Sequence, residues 1–186
     1  MTGFAFCGSF CNHSVAFKVL EEFVGNDIDI LPIMSEKVYT TDTRFGKATD
    51  FIEKVEEKCG KKVVHTIEEA EPIGPKIKLD ALVICPCTGN TCAKMAHGIC
   101  DTSVTMAAKA HLRNERPLVI AYASNDALSI CAPNIGILLQ RKNVYFVPLS
   151  MDDADKKPRS MVCDFSRVYE TYTDAVSGKQ TQKIFF

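Results

Sequence analysis

Short apolar runs alternate with amphipathic segments along most of this chain. The runs predict strands, at residues 4–7, 28–34, 63–65, 81–85, 117–121 and 144–147. The amphipathic segments carry apolar side chains every three or four positions and predict helices, at residues 15–23, 51–59, 91–96, 103–114, 134–140 and 165–176. Asn12 or Ser14 is the expected cap of the first helix, and Gly60 is expected to end the second.

Strands that alternate with helices in this way predict a parallel sheet with helices on both faces. The expected fold is therefore a doubly wound α/β fold, formed by one domain over residues 1–186. Segments 35–43, 68–78 and 150–160 are rich in polar or turn-forming residues and are predicted to be loops. The last of these begins a C-terminal part, 150–186, which is expected to consist of a loop and a closing helix.

Composition mainly excludes classes of function. Lys and Arg number 22 against 23 Asp and Glu, a formal net charge of -1, so nothing indicates binding to nucleic acid or to an anionic membrane. The chain has no apolar run long enough to span a bilayer, and its first residues do not have the pattern of a signal peptide. A cytoplasmic protein is therefore expected.

The nine cysteines are expected to be reduced thiols rather than disulfides, because the chain has no recognisable export signal. Their spacing contains no C-x-x-C pair and no following H-x-x-x-H, so no metal site is predicted. Cys7, Cys11, Cys85 and Cys87 could still meet at neighbouring strand ends, which leaves a redox or metal role open.

Residues 81–101 indicate a ligand site, because an apolar strand leads directly into a Pro, Thr, Gly and Asn loop that begins a helix. Doubly wound sheets bind ligands beyond the carboxyl ends of the strands, where the strand order reverses. That crevice is predicted between Gly8-Ser9 and residues 86–91. The chain has no G-x-G-x-x-G and no G-x-x-x-x-G-K-[ST] sequence, so neither a standard NAD site nor a P-loop is predicted.

Hydroxyl and amide side chains follow several of the predicted strands, at Ser9, Ser35, Thr88, Asn90 and Thr91. Together with a helix dipole, such neutral donors can hold a monophosphate without Lys or Arg. Any one of these residues taken alone is better explained as a helix cap. Their recurrence at several strand ends favours a ligand, and a mononucleotide such as FMN is expected.

The sequence P-C-T-G-N-T-C-A-K-M-A-H-G-I-C-D at 86–101 resembles the motif P-A-[ST]-A-N-T-x-A-K-x-A-x-G-x-x-D of the flavoproteins that include the flavin-containing cysteine decarboxylases. Four further segments are similar to the dipicolinate synthase B subunits: T-R-F-G at 43–46, A-E-P-I-G-P-K at 70–76, N-D-A-L at 125–128 and K-K-P-R-S-M-V at 156–162. The resemblance covers almost the whole chain and implies a Rossmann-like three-layer sandwich. It implies a flavin or phosphate site at Gly8, Ser9, Phe10, Ser35, Thr88, Gly89, Asn90 and Thr91, bordered by Ala123 and Asn125.

Two departures from the decarboxylase pattern bear on the reaction. The decarboxylases carry a catalytic His shortly before the motif strand, where this chain reads E-P-I-G-P-K-I-K-L-D at 71–80. Their P-x-M-N-x-x-M-W segment is also replaced, because residues 122–125 read Y-A-S-N. Cysteine decarboxylation is therefore not expected.

Resemblance to the dipicolinate synthase B subunits implies a part in oxidising a dihydrodipicolinate-type precursor to dipicolinate, pyridine-2,6-dicarboxylate, in sporulating bacteria. The implied partner is an A subunit that carries NAD(P), while this chain holds FMN or phosphate. The two substrate carboxylates favour Arg44 and Arg159 as substrate-binding residues, and no catalytic residue is assigned. His13 could accept a proton near the crevice, although capping or solvation is the simpler interpretation. A homo-oligomer is expected.

Two alternatives stay open. One is a stand-alone FMN-dependent enzyme, either a decarboxylase or a prenyltransferase. The other is a non-catalytic scaffold that binds and stabilises the A subunit.

Overall fold

The computed structural model describes residues 1–186, and its centre is one seven-stranded sheet. The strands are β1 (Thr2–Phe6), β2 (Ile30–Met34), β3 (Leu82–Cys87), β4 (Leu118–Ser124), β5 (Val144–Phe146), β6 (Leu149–Asp153) and β7 (Lys157–Cys163). Their order is β2-β1-β3-β4-β7-β6, with β5 paired to the first part of β4. Strands β1 to β5 run parallel, whereas β7 pairs antiparallel with both β4 and β6.

Eight α-helices accompany these strands: α1 (His13–Gly25), α2 (Glu36–Thr40), α3 (Ala48–Cys59), α4 (Ile67–Ala70), α5 (Gly89–Ala96), α6 (Ser103–Leu112), α7 (Ala132–Leu139) and α8 (Val168–Val176). Helix α1 contacts α3 and α8, whereas α5 contacts α6 and α7. These two groups flank the sheet, so the predicted doubly wound α/β fold is confirmed. None of the helices combines the length and the hydropathy needed to cross a membrane.

The central strands form the core of the protein. β1, β2 and β3 are buried along their whole length, as expected of parallel strands that are covered on both faces. On the α1 side, Phe4 packs against Phe6 and Phe23, with ring centroids 5.1 Å and 5.6 Å apart. The loops at the carboxyl edge of the sheet are therefore attached to tightly packed strands.

Strand β3 extends two residues beyond its predicted end. Its register against β4 shifts between Ile84 and Cys87, so the strand accommodates Pro86 at an irregularity rather than ending there. As a result, Thr88 directly follows the strand and is the N-cap residue of α5. The loop between β3 and α5 is therefore shorter than the sequence predicted.

Two of the predicted loops contain short helices. Residues 35–43 include α2, and the segment after residue 66 begins with α4. Helix α4 is stabilised by a capping box, in which Thr66 Oγ1 accepts a hydrogen bond from the Glu69 N–H and the Glu69 carboxylate accepts one from the Thr66 N–H. The predicted strand at 63–65 is reduced to a single bridge between Val64 and Ile33.

Two predictions for the C-terminal region are wrong: residues 150–160 do not form a loop, and 144–147 is not the last strand. This region is a β-hairpin, β6–β7, which extends the sheet beyond β4. Its turn is closed by Asp153 Oδ1, which accepts hydrogen bonds from the N–H groups of Asp155 and Lys156 at 3.2 Å and 3.0 Å. The charged run at 152–157 lies in this turn and at the strand ends beside it, while Met161 and Cys163 are buried.

Candidate functional site

A cleft of about 750 Å³ opens at the carboxyl edge of the sheet. The loops after β1, β3 and β4 form its floor, and the β6–β7 hairpin and a turn before α3 form its sides. The predicted residues that line it are Gly8, Ser9, Phe10, Arg44, Thr88, Gly89, Asn90, Ala123 and Asn125. Such a volume is within the range of about 300–1,000 Å³ typical of small-molecule and cofactor sites.

The loop after β1 presents a hydroxyl group to this cleft. The Ser9 N–H is bonded to the Cys7 carbonyl at 2.8 Å, which fixes the turn. Asn12 does not cap α1 with its side chain; instead its Nδ2 donates to Ser9 Oγ at 2.9 Å. Because Ser9 Oγ accepts that bond, its own proton remains free for a ligand.

The loop after β3 is held by a chain of hydrogen bonds. Thr88 Oγ1 accepts from the Thr91 N–H at 3.2 Å and donates to Thr91 Oγ1 at 3.1 Å, and Thr91 Oγ1 donates to Cys7 Sγ at 3.3 Å. Thr91 is buried and does not line the cleft, contrary to its predicted role as a binding residue. It links the end of β3 to the end of β1, whereas Asn90 is exposed at the cleft.

Ser35 and Arg159 also lie outside the lining of the cleft. Ser35 lies between β2 and α2 and is the N-cap residue of α2. Its buried Oγ has no hydrogen-bond partner and does not cap the helix. Arg159 is on β7, is exposed, and donates to the Leu128 carbonyl at 3.4 Å. A substrate role for Arg159 therefore has no geometric support.

Arg44 lies at the tip of a two-residue turn. The N–H and carbonyl groups of Thr43 and Gly46 are bonded to each other at 3.0 Å and 3.1 Å, and Gly46 adopts φ +143°. The Arg44 guanidinium lies over the ring of Phe45, 4.9 Å from its centroid, and no carboxylate pairs with it. Phe45 is 55% exposed and lines the same cleft. It was not predicted as a site residue, although it is part of the T-R-F-G segment.

The loop after β4 contributes a carboxylate that was not predicted from the sequence either. Asp126 Oδ1 accepts a hydrogen bond from Ser124 Oγ at 2.5 Å, and this bond lowers the pKa of Asp126. A second carboxylate in the cleft, Asp152, is paired with Lys157 Nζ at 2.6 Å and accepts from Ser160 Oγ at 3.3 Å. Arg44 is therefore the only cation lining the cleft that lacks a carboxylate partner.

The four histidines all lie outside the lining of the cleft. His13 is buried, bonded through Nε2 to the Cys7 carbonyl at 2.8 Å and stacked on Phe51; burial lowers its pKa. His65 stacks on Tyr39 with centroids 3.6 Å apart. Their contacts give these two histidines structural roles.

The cysteines are all free thiols, as expected, and six of them are buried. Burial raises the pKa of Cys7 to about 11 and that of Cys92 to about 12, so both are protonated near neutral pH. The protonated form is a poor nucleophile and a poor metal ligand. Cys11 is the one cysteine classed as exposed, and it lines the cleft.

Comparison with known proteins agrees with this architecture. The Flavoprotein family model matches residues 11–179. The dipicolinate synthase B subunit of Bacillus subtilis (strain 168) is 39% identical over 182 residues, which are 98% of this chain and 91% of that protein. The crystal structure of the dipicolinate synthase B subunit from Bacillus halodurans C is 38% identical, with a TM-score of 0.90 over 100% of this chain and 95% of that chain. The FMN-dependent cysteine decarboxylase SpaF shares the fold, at 21% identity and a TM-score of 0.68 over 95% of this chain and 96% of that chain.

Proposed function

Because the chain belongs to the flavoprotein family and, within it, to the dipicolinate synthase B subunits, we propose that it is one component of a two-subunit dipicolinate synthase. It acts with a nicotinamide-binding A subunit to oxidise a dihydrodipicolinate-type precursor to dipicolinate. The observation that carries this proposal is the Arg44 guanidinium, the only cation lining the cleft that lacks a carboxylate partner. A guanidinium is well suited to a carboxylate, and a dicarboxylate substrate supplies two.

The remaining lining groups suit a small, flat, polar ligand. Ser9 offers a free hydroxyl proton, and Asn90 and Asn125 offer amide groups at the floor of the cleft. Phe45 presents an exposed ring on which a heteroaromatic ring could stack. The first turn lacks the glycine fingerprint of a dinucleotide site, which is consistent with NAD(P) being carried by the partner.

We propose that the same cleft region holds FMN, or phosphate alone. Ser35 does not line the cleft, but its buried hydroxyl has no partner and would be satisfied by a phosphate that reaches it, because an unpartnered buried hydroxyl is costly. Ser9 would donate to the same phosphate. When bound, a flavin supplies a ring that accepts a hydride.

Replacing Ser35 with alanine tests this assignment. Without ligand, the S35A variant should be as stable as the wild type or up to about 1 kcal/mol more stable, because its hydroxyl has no partner to lose. FMN and inorganic phosphate should both bind about tenfold more weakly. Thermal melts and equilibrium dialysis measure the two effects, and unchanged affinity for both ligands would remove Ser35 from the site.

Arg44 and Arg159 provide a matched pair for the substrate site. Arg44→Ala should raise the dissociation constant of dipicolinate about tenfold, which is the low end of the effect of a charge-assisted hydrogen bond because Arg44 is exposed. Arg159→Ala should change it less than twofold, because Arg159 contacts only a carbonyl outside the cleft. Titration calorimetry with dipicolinate measures both, and equal effects of the two substitutions would contradict the assignment.

Reconstitution tests the function itself. The chain is mixed with an A subunit, NAD(P)⁺ and a dihydrodipicolinate-type precursor, and dipicolinate is measured by chromatography. Neither subunit alone should form dipicolinate at the rate of the mixture. Full activity of the A subunit alone would leave this chain without a catalytic part, and turnover of an FMN-loaded chain without a partner would favour a stand-alone enzyme.

We also propose that the chain self-associates. Leu128 and Ile130 in the β4–α7 loop are exposed, Ile130 to 79%, and exposed apolar side chains that lie together are typical of interaction surfaces. Light scattering should therefore give a mass that is a multiple of 20.6 kDa, and Ile130→Lys should lower it. A monomeric mass for the wild type at micromolar concentration would contradict this.

A further inference from the structure

Aromatisation of a dihydropyridine removes two hydrogens, one as a hydride and one as a proton. If the proposed function holds, the hydride reduces an oxidised nicotinamide nucleotide, and the proton needs an acceptor in the cleft. The histidines are outside the lining, so the candidates with an ionised acceptor are Asp126 and Asp152. Asp152 is already occupied by Lys157 Nζ at 2.6 Å and by Ser160 Oγ. Asp126 has no cation partner.

Asp126 is held in place at the floor of the cleft. Ser124 Oγ donates to its Oδ1 at 2.5 Å, which orients the carboxylate in the lining of the cleft. The same Oδ1 lies 3.2 Å from the point that a Cβ on Gly89 would occupy. The carboxylate is therefore packed against the first residue of α5, where the positive end of the helix dipole favours its ionised form.

We propose that Asp126 accepts the proton that leaves the substrate ring. In this step a ring C–H bond breaks, its proton forms an O–H bond with the Asp126 carboxylate, and its electron pair enters the ring as a new π bond. The hydride leaves the adjacent ring carbon and reduces the nicotinamide nucleotide. The products are dipicolinate, the reduced nucleotide and one proton, which Asp126 later releases to water.

The geometry distinguishes proton transfer from substrate binding. Asp126 and the substrate carboxylates carry the same sign of charge, so a role in holding the substrate is unfavourable. The hydrogen bond from Ser124 lowers the pKa of Asp126, so the carboxylate is ionised but is a weaker base than a free aspartate, and the proposal rests on its position in the cleft. Asp126 should therefore contribute to turnover while weakening dianion binding.

Asp126→Asn is the decisive variant, because it removes the charge and keeps the shape. In the reconstituted two-subunit enzyme, D126N should lower kcat about 100-fold or more, as expected for loss of a general base. The dissociation constant of dipicolinate, measured by calorimetry on this chain alone, should stay the same or fall, because a repelling charge is gone. Asp126→Glu should recover part of kcat.

Asp155→Asn is the matched control, because Asp155 lies in the exposed turn of the β6–β7 hairpin and not in the cleft. D155N should keep both kcat and dipicolinate binding. A D126N enzyme with kcat within threefold of wild type would overturn the proposal. Weaker dipicolinate binding by D126N, in proportion to its lost turnover, would also overturn it by showing a binding or structural role. If the wild-type mixture forms no dipicolinate, the proposed function fails, and the inference fails with it.

Discussion

Replacing Gly74 with alanine should lower the free energy of unfolding by about 3 kcal/mol or more, the largest stability effect we expect from a single added methyl group. Gly74 adopts φ +100°, a region that L residues rarely occupy. A Cβ there would lie 2.4 Å from the carbonyl oxygen of Ala110 and 2.5 Å from Asn114 Nδ2. The first of these atoms belongs to the backbone of α6 and cannot rotate away, so the loop or the helix must move.

Gly98→Ala is the matched control for this prediction. Gly98 also has positive φ, at +72°, but nothing lies within 4 Å of the position of its added Cβ. It should therefore lose only about 1 kcal/mol, the cost of the left-handed conformation. Denaturant melts of both variants measure the difference, and equal losses would show that backbone strain alone, rather than the contact with α6, makes Gly74 necessary.

The main features of the fold could be predicted because the parallel strands are encoded locally. Residues 81–85 and 117–121 are apolar without interruption, and all of them except the half-buried Pro117 are buried in the centre of the sheet. Gly60 ends α3 in the left-handed conformation, as its position after an amphipathic segment indicated. In these places local propensity and the tertiary structure favour the same conformation.

The place of the β6–β7 hairpin in the sheet could not be predicted, because the pairing of β7 with β4 is non-local. Ser124 of β4 pairs with Met161 of β7, and the residues between them include helix α7 and the two strands β5 and β6. The mixed charges at 152–157 indicated solvent exposure correctly, but exposure does not distinguish a loop from the end of a hairpin. No pattern in the sequence therefore predicted that Asp152 and Lys157 line the side of the cleft.

Local sequence likewise predicted only part of the candidate site. Residues that follow strands directly, such as Ser9 and Asn90, were predicted to face the crevice, and they do line it. Thr91 and Ser35 were assigned by the same rule, but the side chain of Thr91 bonds inward to Cys7 and Ser35 is buried beyond the lining. Strand ends place a residue near the site, whereas hydrogen bonding decides which way its side chain points.

At Gly89, the local sequence and the tertiary packing both shape the site. The decarboxylase motif has alanine at this position, whereas here the space is filled by the loop after β4. A Cβ on Gly89 would lie 2.7 Å from Ser124 Oγ, 3.0 Å from Cys131 Sγ and 3.2 Å from Asp126 Oδ1. The missing methyl group is therefore what allows Ser124 and Asp126 to pack against the N-terminus of α5.

Gly89→Ala should consequently lower dipicolinate formation by the reconstituted enzyme at least tenfold, while costing only about 1 kcal/mol of stability. The stability cost is small because the crowded atoms are side-chain ends that can rotate, and alanine favours the helix. Activity should suffer because the rotation breaks the 2.5 Å bond between Ser124 and Asp126. Rate assays and thermal melts on the same preparation measure the two effects.

Gly136→Ala is the control, since Gly136 lies within α7 and nothing is within 4 Å of the position of its added Cβ. It should gain roughly 0.5–1 kcal/mol of stability from helix propensity and keep its activity. Ser124→Ala, which removes the bond but leaves the space, should lose activity as well. Because both substitutions act on one contact, the double variant Gly89→Ala with Ser124→Ala should be no less active than the poorer single variant. Additive losses would mean that Gly89 acts on the reaction by a route that does not pass through Ser124.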